Sequence, residues 1–457
     1  MAPALTIVML PIVKISVIGC GYLGAVHAAC MADFGHEVIA LDIDAAKVER
    51  LGQGIPPFHE PGFEDVLKRA LASGRLRFTT DPSAIGEAEL HFIAVGTPQR
   101  GGSYAADLSQ VDTAVAFLLD HARSDEQPVV VAGKSTVPVG TAQSIADRLA
   151  EGGLDAVVVW NPEFLREGYA VADTTRPDRV VYGLPEDAER GEIGRAALDE
   201  VYRPIIDSGT PRLLVNYPTA ELVKVAANSF LATKISFINS MAELCDATGA
   251  DVTRLAEAIG HDDRIGPKFL QAGIGFGGGC LPKDIRAFMA RAGELGVDQS
   301  LTFLREVDSI NMRRRDHAVE LAAQMCGGRL VGLKVAVLGL TFKPDSDDVR
   351  DSPALDIAGR LWGRGANVVA TDPAGADAVR RVRPDLQIVD TADEALQGAD
   401  LVMLLTAWRD YVALDPAHAK SLVAVPRIID GRNALDPTAW SQAGWDYRGM
   451  GRTASTW

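Results

Sequence analysis

The run Gly275-Phe276-Gly277-Gly278-Gly279-Cys280-Leu281-Pro282-Lys283-Asp284 offers a single cysteine for chemistry in a glycine-dense setting. Glycines adopt positive φ readily and let the main chain approach a ligand closely. Pro282 suits the first position of a helix, so a helix is expected over residues 282–291, starting just beyond the sulfur. Cys280 would then stand against the positive end of that helix, where thiolate is favoured and the sulfur is a better nucleophile. The competing reading is a tight turn followed by a buried, inert thiol, because free cysteine is among the most buried residue types.

A second constellation is suited to binding. Residues 14–18 read as a short apolar strand, followed at once by Gly19-Cys20-Gly21-Tyr22-Leu23-Gly24, a helical stretch over 25–34, a Gly35 stop and a second strand ending at Asp42. A lone GxGxxG is weak, but one set between strand and helix, with an acid roughly 20 residues on, is the dinucleotide fingerprint. Gly19 makes the turn, Gly21 admits the pyrophosphate and Gly24 permits close helix–strand packing, while the helix N-terminus receives the phosphates. Asp42 would bond the adenine ribose 2′-hydroxyl and repel a 2′-phosphate, favouring NAD over NADP; Asp44 is a weaker competitor for that role.

Pro218-Thr219-Ala220-Glu221 opens the longest helical pattern, with Thr219 as cap, Glu221 in the first turn and apolar positions continuing to Gly249. At ~30 residues it would span about 45 Å, enough to cross a whole domain and to pack a partner subunit. Lys224 and Asn228 lie at i, i+4 and so project from one face. They could be a solvated polar stripe, but the surrounding Val223, Val225, Ala226, Ala227, Phe230 and Leu231 suit a desolvated lysine.

Several elements must position these groups. Strands and helices alternate: a helix over 64–73, strands near 76–79 and 90–95, a strand over 129–132, a helix over 142–150 and a strand over 156–160. Such βα alternation indicates a parallel, doubly wound sheet, in which ligands collect at loops after the strands' carboxyl ends. Thr97, Thr136 and Glu163 fall in those loops, although each alone could be a turn or cap residue. A second cycle starts with a strand over 335–340, a polar loop over 341–350, a helix over 353–362 and a strand ending at Asp372; it lacks GxGxxG. The expected fold is therefore α/β, with two Rossmann-like doubly wound sheets joined by a long central helix.

Composition excludes other classes. At 457 residues the chain should hold two or three domains, and a net charge of −16 argues against nucleic acid or an anionic membrane as partner. An anionic ligand would need a local basic cluster working against that charge. The five cysteines (20, 30, 245, 280 and 326) are scattered without CxxC, so neither disulfides nor a metal site is expected and a reducing cytoplasm fits. Residues 1–13 lack the features of a signal peptide and read as a tail, with Met9 an alternative start to Met1.

In order along the chain stand the residue 19–24 fingerprint, Val95-Gly96-Thr97-Pro98, Ser135-Thr136-Val137-Pro138-Val139-Gly140, Asn161-Pro162-Glu163-Phe164-Leu165, Lys224 with Asn228, Arg264-Ile265-Gly266-Pro267-Lys268-Phe269, the cysteine motif, Phe342-Lys343 and Asp430-Gly431-Arg432. Taken together the chain resembles the nucleotide-sugar dehydrogenases, the UDP-glucose/GDP-mannose dehydrogenase family, from residue 14 to about 437. The resemblance implies an NAD domain over 1–215, a central helical and dimerisation domain carrying the cysteine loop over 216–325, and a UDP-sugar domain over 326–457. It implies a homodimer or higher homo-oligomer and no metal. The favoured substrate is UDP-glucose; GDP-mannose stands second, and a UDP-N-acetylhexosamine third, because Gly-Cys-Leu-Pro-Lys-Asp departs from the His-Cys-Ile-Pro-Val-Asp of the mannosamine enzymes.

The resemblance also implies roles. Cys280 forms a thiohemiacetal and then a thioester, Lys224 and Asn228 stabilise the oxyanion, Asp284 handles protons, and Glu163 is the base for hydrolysis with Thr136 bonding the water. Gly19, Gly21, Tyr22, Leu23, Gly24, Asp42, Lys47, Thr97, Thr136, Glu167, Lys283 and Arg350 face NAD. Glu163, Phe164, Leu165, Lys224, Asn228, Phe269, Phe276, Gly277, Phe342 and Lys343 line the sugar nucleotide, with Arg432 touching the sugar and Arg264 reaching from the other subunit. Gly279 is a departure, since many relatives carry Ser there.

Overall fold

The computed structural model describes residues 12–124 and 127–452; both candidate starts, Met1 and Met9, lie outside the described residues. The chain divides into two units, Met1–Ala226 and Ala227–Trp457.

In the first unit the strands are β1 (Lys14–Ile18), β2 (Glu37–Leu41), β3 (Leu76–Thr79), β4 (Leu90–Ile93), β5 (Val129–Gly133), β6 (Ala156–Trp160), β7 (Val180–Leu184) and β8 (Arg212–Asn216). They form one sheet in the order β3-β2-β1-β4-β5-β6-β7-β8. The expected parallel sheet is present with one exception: β6 meets β7 antiparallel, at Trp160 and Gly183. Every residue of β4 is buried, as a strand covered on both faces requires, and burying each Val, Leu or Ile contributes roughly 1.5–3 kcal/mol.

The second unit holds β9 (Lys334–Leu338), β10 (Asn367–Thr371), β11 (Gln387–Ile388), β12 (Leu401–Leu404), β13 (Arg427–Asp430) and β14 (Asp446–Gly449), in the order β11-β10-β9-β12-β13-β14. Counted within each unit, both sheets follow the doubly wound order 3-2-1-4-5-6, and the chain reverses direction across the sheet beside the first strand. The repeat extends to one hydrogen bond. The Cys20 amide donates to Asp42 Oδ2 at 2.7 Å, and the Leu340 amide donates to Asp372 Oδ2 at 2.7 Å. In each half the acid closing the second strand thus fastens the turn after the first. The turn glycine, Gly19 or Gly339, has φ of 98° or 93°, which is why β9 stops at Leu338 and not at the expected residue 340.

The long helix is Tyr217–Thr248, 32 residues and so about 48 Å; the division between the units falls within it. It starts ahead of the expected cap. Asn216, not Thr219, supplies the capping oxygen, accepting from the Thr219 amide at 3.1 Å. Glu221 serves a different helix: its carboxylate accepts from the Gly140 and Ala142 amides, each at 2.7 Å, at the start of Thr141–Glu151. Farther along, Phe230, Phe237 and Leu244 recur every seven residues and are 67, 49 and 57% exposed. No helix among the described residues is long and apolar enough to cross a membrane.

Candidate active site

In the first unit, the turn after β1 has the features a dinucleotide requires. A Cβ on Gly24 would lie 1.8 Å from the Gly19 carbonyl oxygen, so only glycine permits this packing, whereas a Cβ on Gly21 would meet nothing within 4 Å. The helix Tyr22–Asp33 that follows has no side-chain cap and no acid in its first turn. Its leading amides and the open space at Gly21 therefore fit a bound pyrophosphate. Tyr22 of the fingerprint donates to Glu60, which in turn accepts from the Gly168 amide at 2.6 Å and the Ala170 amide at 2.7 Å. That anchors the segment carrying Glu167, itself buried.

Asp42 lies at the end of β2 as expected and is buried. Besides the Cys20 amide it accepts from the Asp44 amide at 3.0 Å and the Lys47 ammonium at 2.9 Å. Lys47 thus neutralises Asp42, and the two form one group. The loops after β4 and β5 are tied together by Thr97 Oγ1, which donates to the Thr136 carbonyl at 2.7 Å, and by Ser135 Oγ, which donates to the Val95 carbonyl at 2.7 Å.

Glu163 and Lys224 meet as an ion pair, Nζ to Oε1 2.7 Å, with Lys224 buried and Glu163 half-buried. The other carboxylate oxygen accepts from the Leu165 amide at 2.6 Å. Phe164 is covered by the Arg179 guanidinium, 3.8 Å from its ring centroid, with the Lys224 ammonium at 5.9 Å. Leu165 packs against the apolar core of this unit.

Sequence reasoning gave no role to the group behind Glu163. The Lys134 ammonium, at the end of β5, donates to Asn161 Oδ1 at 2.9 Å and Tyr202 Oη at 3.1 Å, and Tyr202 also donates to Asn161 Oδ1 at 2.7 Å. Among the described residues no carboxylate lies within 4.0 Å of it. Burial lowers the Lys134 ammonium to about 8, against a smaller upward pull from Glu163. A lysine closing a strand of otherwise apolar residues was the available signal.

In the second unit, the helix Leu281–Glu294 begins one residue earlier than expected, with Cys280 at its N-cap position and Pro282 in the first turn. Residues 272–278 are buried and lead to Cys280, which is exposed. The inert-thiol reading therefore fails for Cys280 but describes Cys20, Cys30 and Cys245, which are buried; burial pushes these thiols, and that of half-buried Cys326, up from their ordinary value. The buried glycine loop finds partners for its amides. Gly273 donates to Asn239 at 2.9 Å, Phe276 to Asn311 at 2.8 Å, Gly278 to the Arg350 carbonyl at 2.9 Å and Gly279 to Asp348 at 3.2 Å.

Asp284, one turn beyond Cys280, is buried and accepts from Asn228 at 2.7 Å and from the Lys283 ammonium at 2.6 Å. Arg350 pairs with Asp348 at 2.7 Å and lies over Gly279, where a Cβ would sit 2.3 Å from its guanidinium carbon. The missing hydroxyl at 279 is thus also missing bulk, and Arg350 fills the space. Phe342 lies against Gly278 in the same way, and Asp351 and Pro353 press on Gly277. Lys343 lies 5.5 Å from the Phe342 ring.

The expected binding residues divide between exposed and engaged. Arg432 donates to the carbonyls of Leu405 at 2.7 Å, Gly275 at 2.9 Å and Phe342 at 3.0 Å, so its fork clamps the cysteine loop to the 342 loop. Burial lowers its guanidinium to about 10. Phe276 buries its ring with Ala232, Ile285, Leu304 and Val307. Arg264 projects into solvent beside Asp262 at 2.7 Å. Phe269 holds φ at 64°, a conformation that bulky residues rarely adopt.

Comparison with known proteins agrees with this arrangement. Residues 13–206 match the NAD binding domain of the UDP-glucose/GDP-mannose dehydrogenase family, residues 218–313 its central domain and residues 336–437 its UDP binding domain. A UDP-glucose 6-dehydrogenase of Rhizobium meliloti is 41% identical over 442 residues, covering 96% of this chain and 99% of that protein. The UDP-glucose 6-dehydrogenase YwqF of Bacillus subtilis is 39% identical over 446 residues, covering 96% and 98%. The structure of a UDP-glucose dehydrogenase from the archaeon Pyrobaculum islandicum superposes with a TM-score of 0.88 at 37% identity, covering 97% of this chain and 99% of that one. The chain therefore belongs to the UDP-glucose/GDP-mannose dehydrogenase family.

Proposed function

We propose that the protein oxidises UDP-glucose to UDP-glucuronate in two steps, through covalent intermediates on Cys280. The observation that carries this reading is the exposed Cys280 at the head of a helix, one turn from a buried Asp284 bonded to Asn228. When bound, NAD supplies the hydride acceptor for both oxidations.

The chain's own residues do the rest. An alcohol gives up one hydride and its hydroxyl proton to become an aldehyde, but the aldehyde carbon cannot yield a second hydride usefully until a nucleophile adds. The Cys280 sulfur adds to that carbon, and the resulting thiohemiacetal loses its C–H as hydride and its O–H as a proton, leaving a thioester. Water then cleaves the C–S bond, returning the sulfur and releasing the carboxylate. Asn228 and the Lys224 ammonium would hold the oxygen as it gains charge, and Asp284 would take and return protons. Glu163 would accept the proton of the attacking water, with Thr136 bonding that water.

The division of the chain at 215 and 325 into cofactor, central and UDP-sugar parts, the cytoplasm as compartment and a homodimer complete the proposal. The exposed Phe230, Phe237 and Leu244 support the dimer, since their spacing puts them on one face of the long helix. The function is tested by incubating the protein with NAD and a panel of UDP- and GDP-sugars. UDP-glucose should give two NADH per sugar and no trappable aldehyde; one NADH, or preference for GDP-mannose, overturns the assignment.

A further inference from the structure

Lys134 is a costly residue with no role in the scheme above. Its ammonium is withdrawn from water at the end of β5, with only the neutral oxygens of Asn161 and Tyr202 as bonded partners in the described structure. A buried cation of this kind is a functional-site candidate. Its first partner carries the connection. Asn161 is fixed at three points, by Lys134 and Tyr202 on Oδ1, by its side-chain amide donating to the Val181 carbonyl at 3.0 Å, and by its backbone amide donating to the Gly133 carbonyl at 2.8 Å. Two residues later comes Glu163, and Pro162 between them restricts the backbone.

We infer that Lys134 is a positioning residue for Glu163: by locking Asn161 it sets the Asn161-Pro162-Glu163 turn that aims the carboxylate. This rests on the reading of Glu163 as the base for thioester hydrolysis. A small cavity of about 50 Å³ has Lys134, Asn161, Glu163, Phe164, Arg179 and Tyr202 in its lining. Its lining is partly polar and it is large enough for a water molecule, so the ammonium and the carboxylate border the same space. Glu163, Tyr202 and His27 border this space with Lys134, as do Arg179 and Asp173, the last paired with Arg166. Burial, reinforced by Lys134, pushes His27 well below its ordinary range, and burial raises Tyr202. Lys224 binds Glu163 from the front, while the Lys134 ammonium borders the same space from behind.

The test uses the full chain and three variants, Lys134→Met, Tyr202→Phe and Glu163→Gln, each quenched during turnover of UDP-glucose with NAD and weighed intact. Lys134→Met should lower kcat by roughly ten-fold or more, leave kcat/KM for both substrates within about two-fold, and accumulate the acyl adduct on Cys280. Tyr202→Phe should do the same more weakly. Damage to the fold alone would slow both oxidations and would not enrich the acyl form. An adduct in Glu163→Gln but none above wild type in Lys134→Met overturns the inference alone. If Lys134→Met does not fold, Tyr202→Phe decides by the same criterion. No adduct in Glu163→Gln overturns the hydrolysis reading and the inference with it.

Discussion

Glu163 and Lys224 form a largely buried ion pair, Oε1 to Nζ 2.7 Å, and the remaining carboxylate oxygen is bonded to the Leu165 amide at 2.6 Å. Two groups with separate proposed tasks, one at the oxyanion and one at the attacking water, therefore hold each other in place. Removing one leaves the other without its partner in a site largely withdrawn from water. Lys224→Ala should cost about 3–5 kcal/mol of stability on that account. Glu163→Gln should cost less, because an amide oxygen still accepts from Lys224. Thermal unfolding of the two variants checks the order; equal midpoints would mean that the pair is not a coupled unit.

Asp42 has two duties. It accepts from the Cys20 amide at 2.7 Å and, as proposed, faces the ribose. Asp42→Asn keeps an acceptor for Cys20 while removing the charge, so it should narrow the NAD-over-NADP preference in kcat/KM with little loss of stability. Asp42→Ala should also lose stability, by roughly 1–3 kcal/mol, because a buried amide is left unpaired. Equal use of both cofactors by the wild-type protein would contradict the ribose role.

Lys134 makes stability depend on pH. The unfolded chain keeps this proton up to about pH 10.5, whereas burial makes the folded chain release it near pH 8. The unfolded state thus binds more protons between those values, and the contribution of Lys134 to stability rises with pH across the window. Above about pH 10 the trend is opposed, since burial raises Tyr182 and Tyr202 and the folded chain retains phenolic protons that the unfolded chain loses. Wild type should therefore gain on the order of 2 kcal/mol over Lys134→Met between pH 8 and 10. Denaturation midpoints of the two proteins that move in parallel across that range would contradict this.

The Phe230, Phe237 and Leu244 stripe should disappear into a subunit contact. Phe237→Glu would place a charge in the middle of it, and sedimentation should report a shift toward monomer. An unchanged assembly, or a monomeric wild-type protein, would remove the long helix from consideration as the interface.

Much of this was legible in the sequence because glycine, proline and apolar runs act locally. β2, β3 and β6 begin and end where their residues indicate, and Gly19 and Gly24 have the packing that the fingerprint implies. Long-range choices were not legible. Glu221 looked like a first-turn acid of its own helix, yet it serves amides at Gly140 and Ala142, a pairing no local pattern encodes. β8 was missed because it is an exposed edge strand without the alternation of a half-buried one. Arg432 was expected at the sugar from the resemblance; that its guanidinium binds three backbone carbonyls from three different loops had no local sign. Lys134 stood one residue before a recognised motif, and its place after an apolar strand was its one visible sign of burial.

The central claim is that the second oxidation proceeds on the sulfur of Cys280 and that Glu163 releases the product. The direct measurement is peptide mapping of Glu163→Gln quenched during reaction with UDP-glucose and NAD, with Cys280→Ser run beside it. The account predicts one UDP-glucuronyl group on Cys280 in Glu163→Gln, and in Cys280→Ser a turnover lower by roughly 10²-fold or more with substrate binding retained. Cys280→Ser turning over near the wild-type rate, or an adduct that never maps to Cys280, would contradict it.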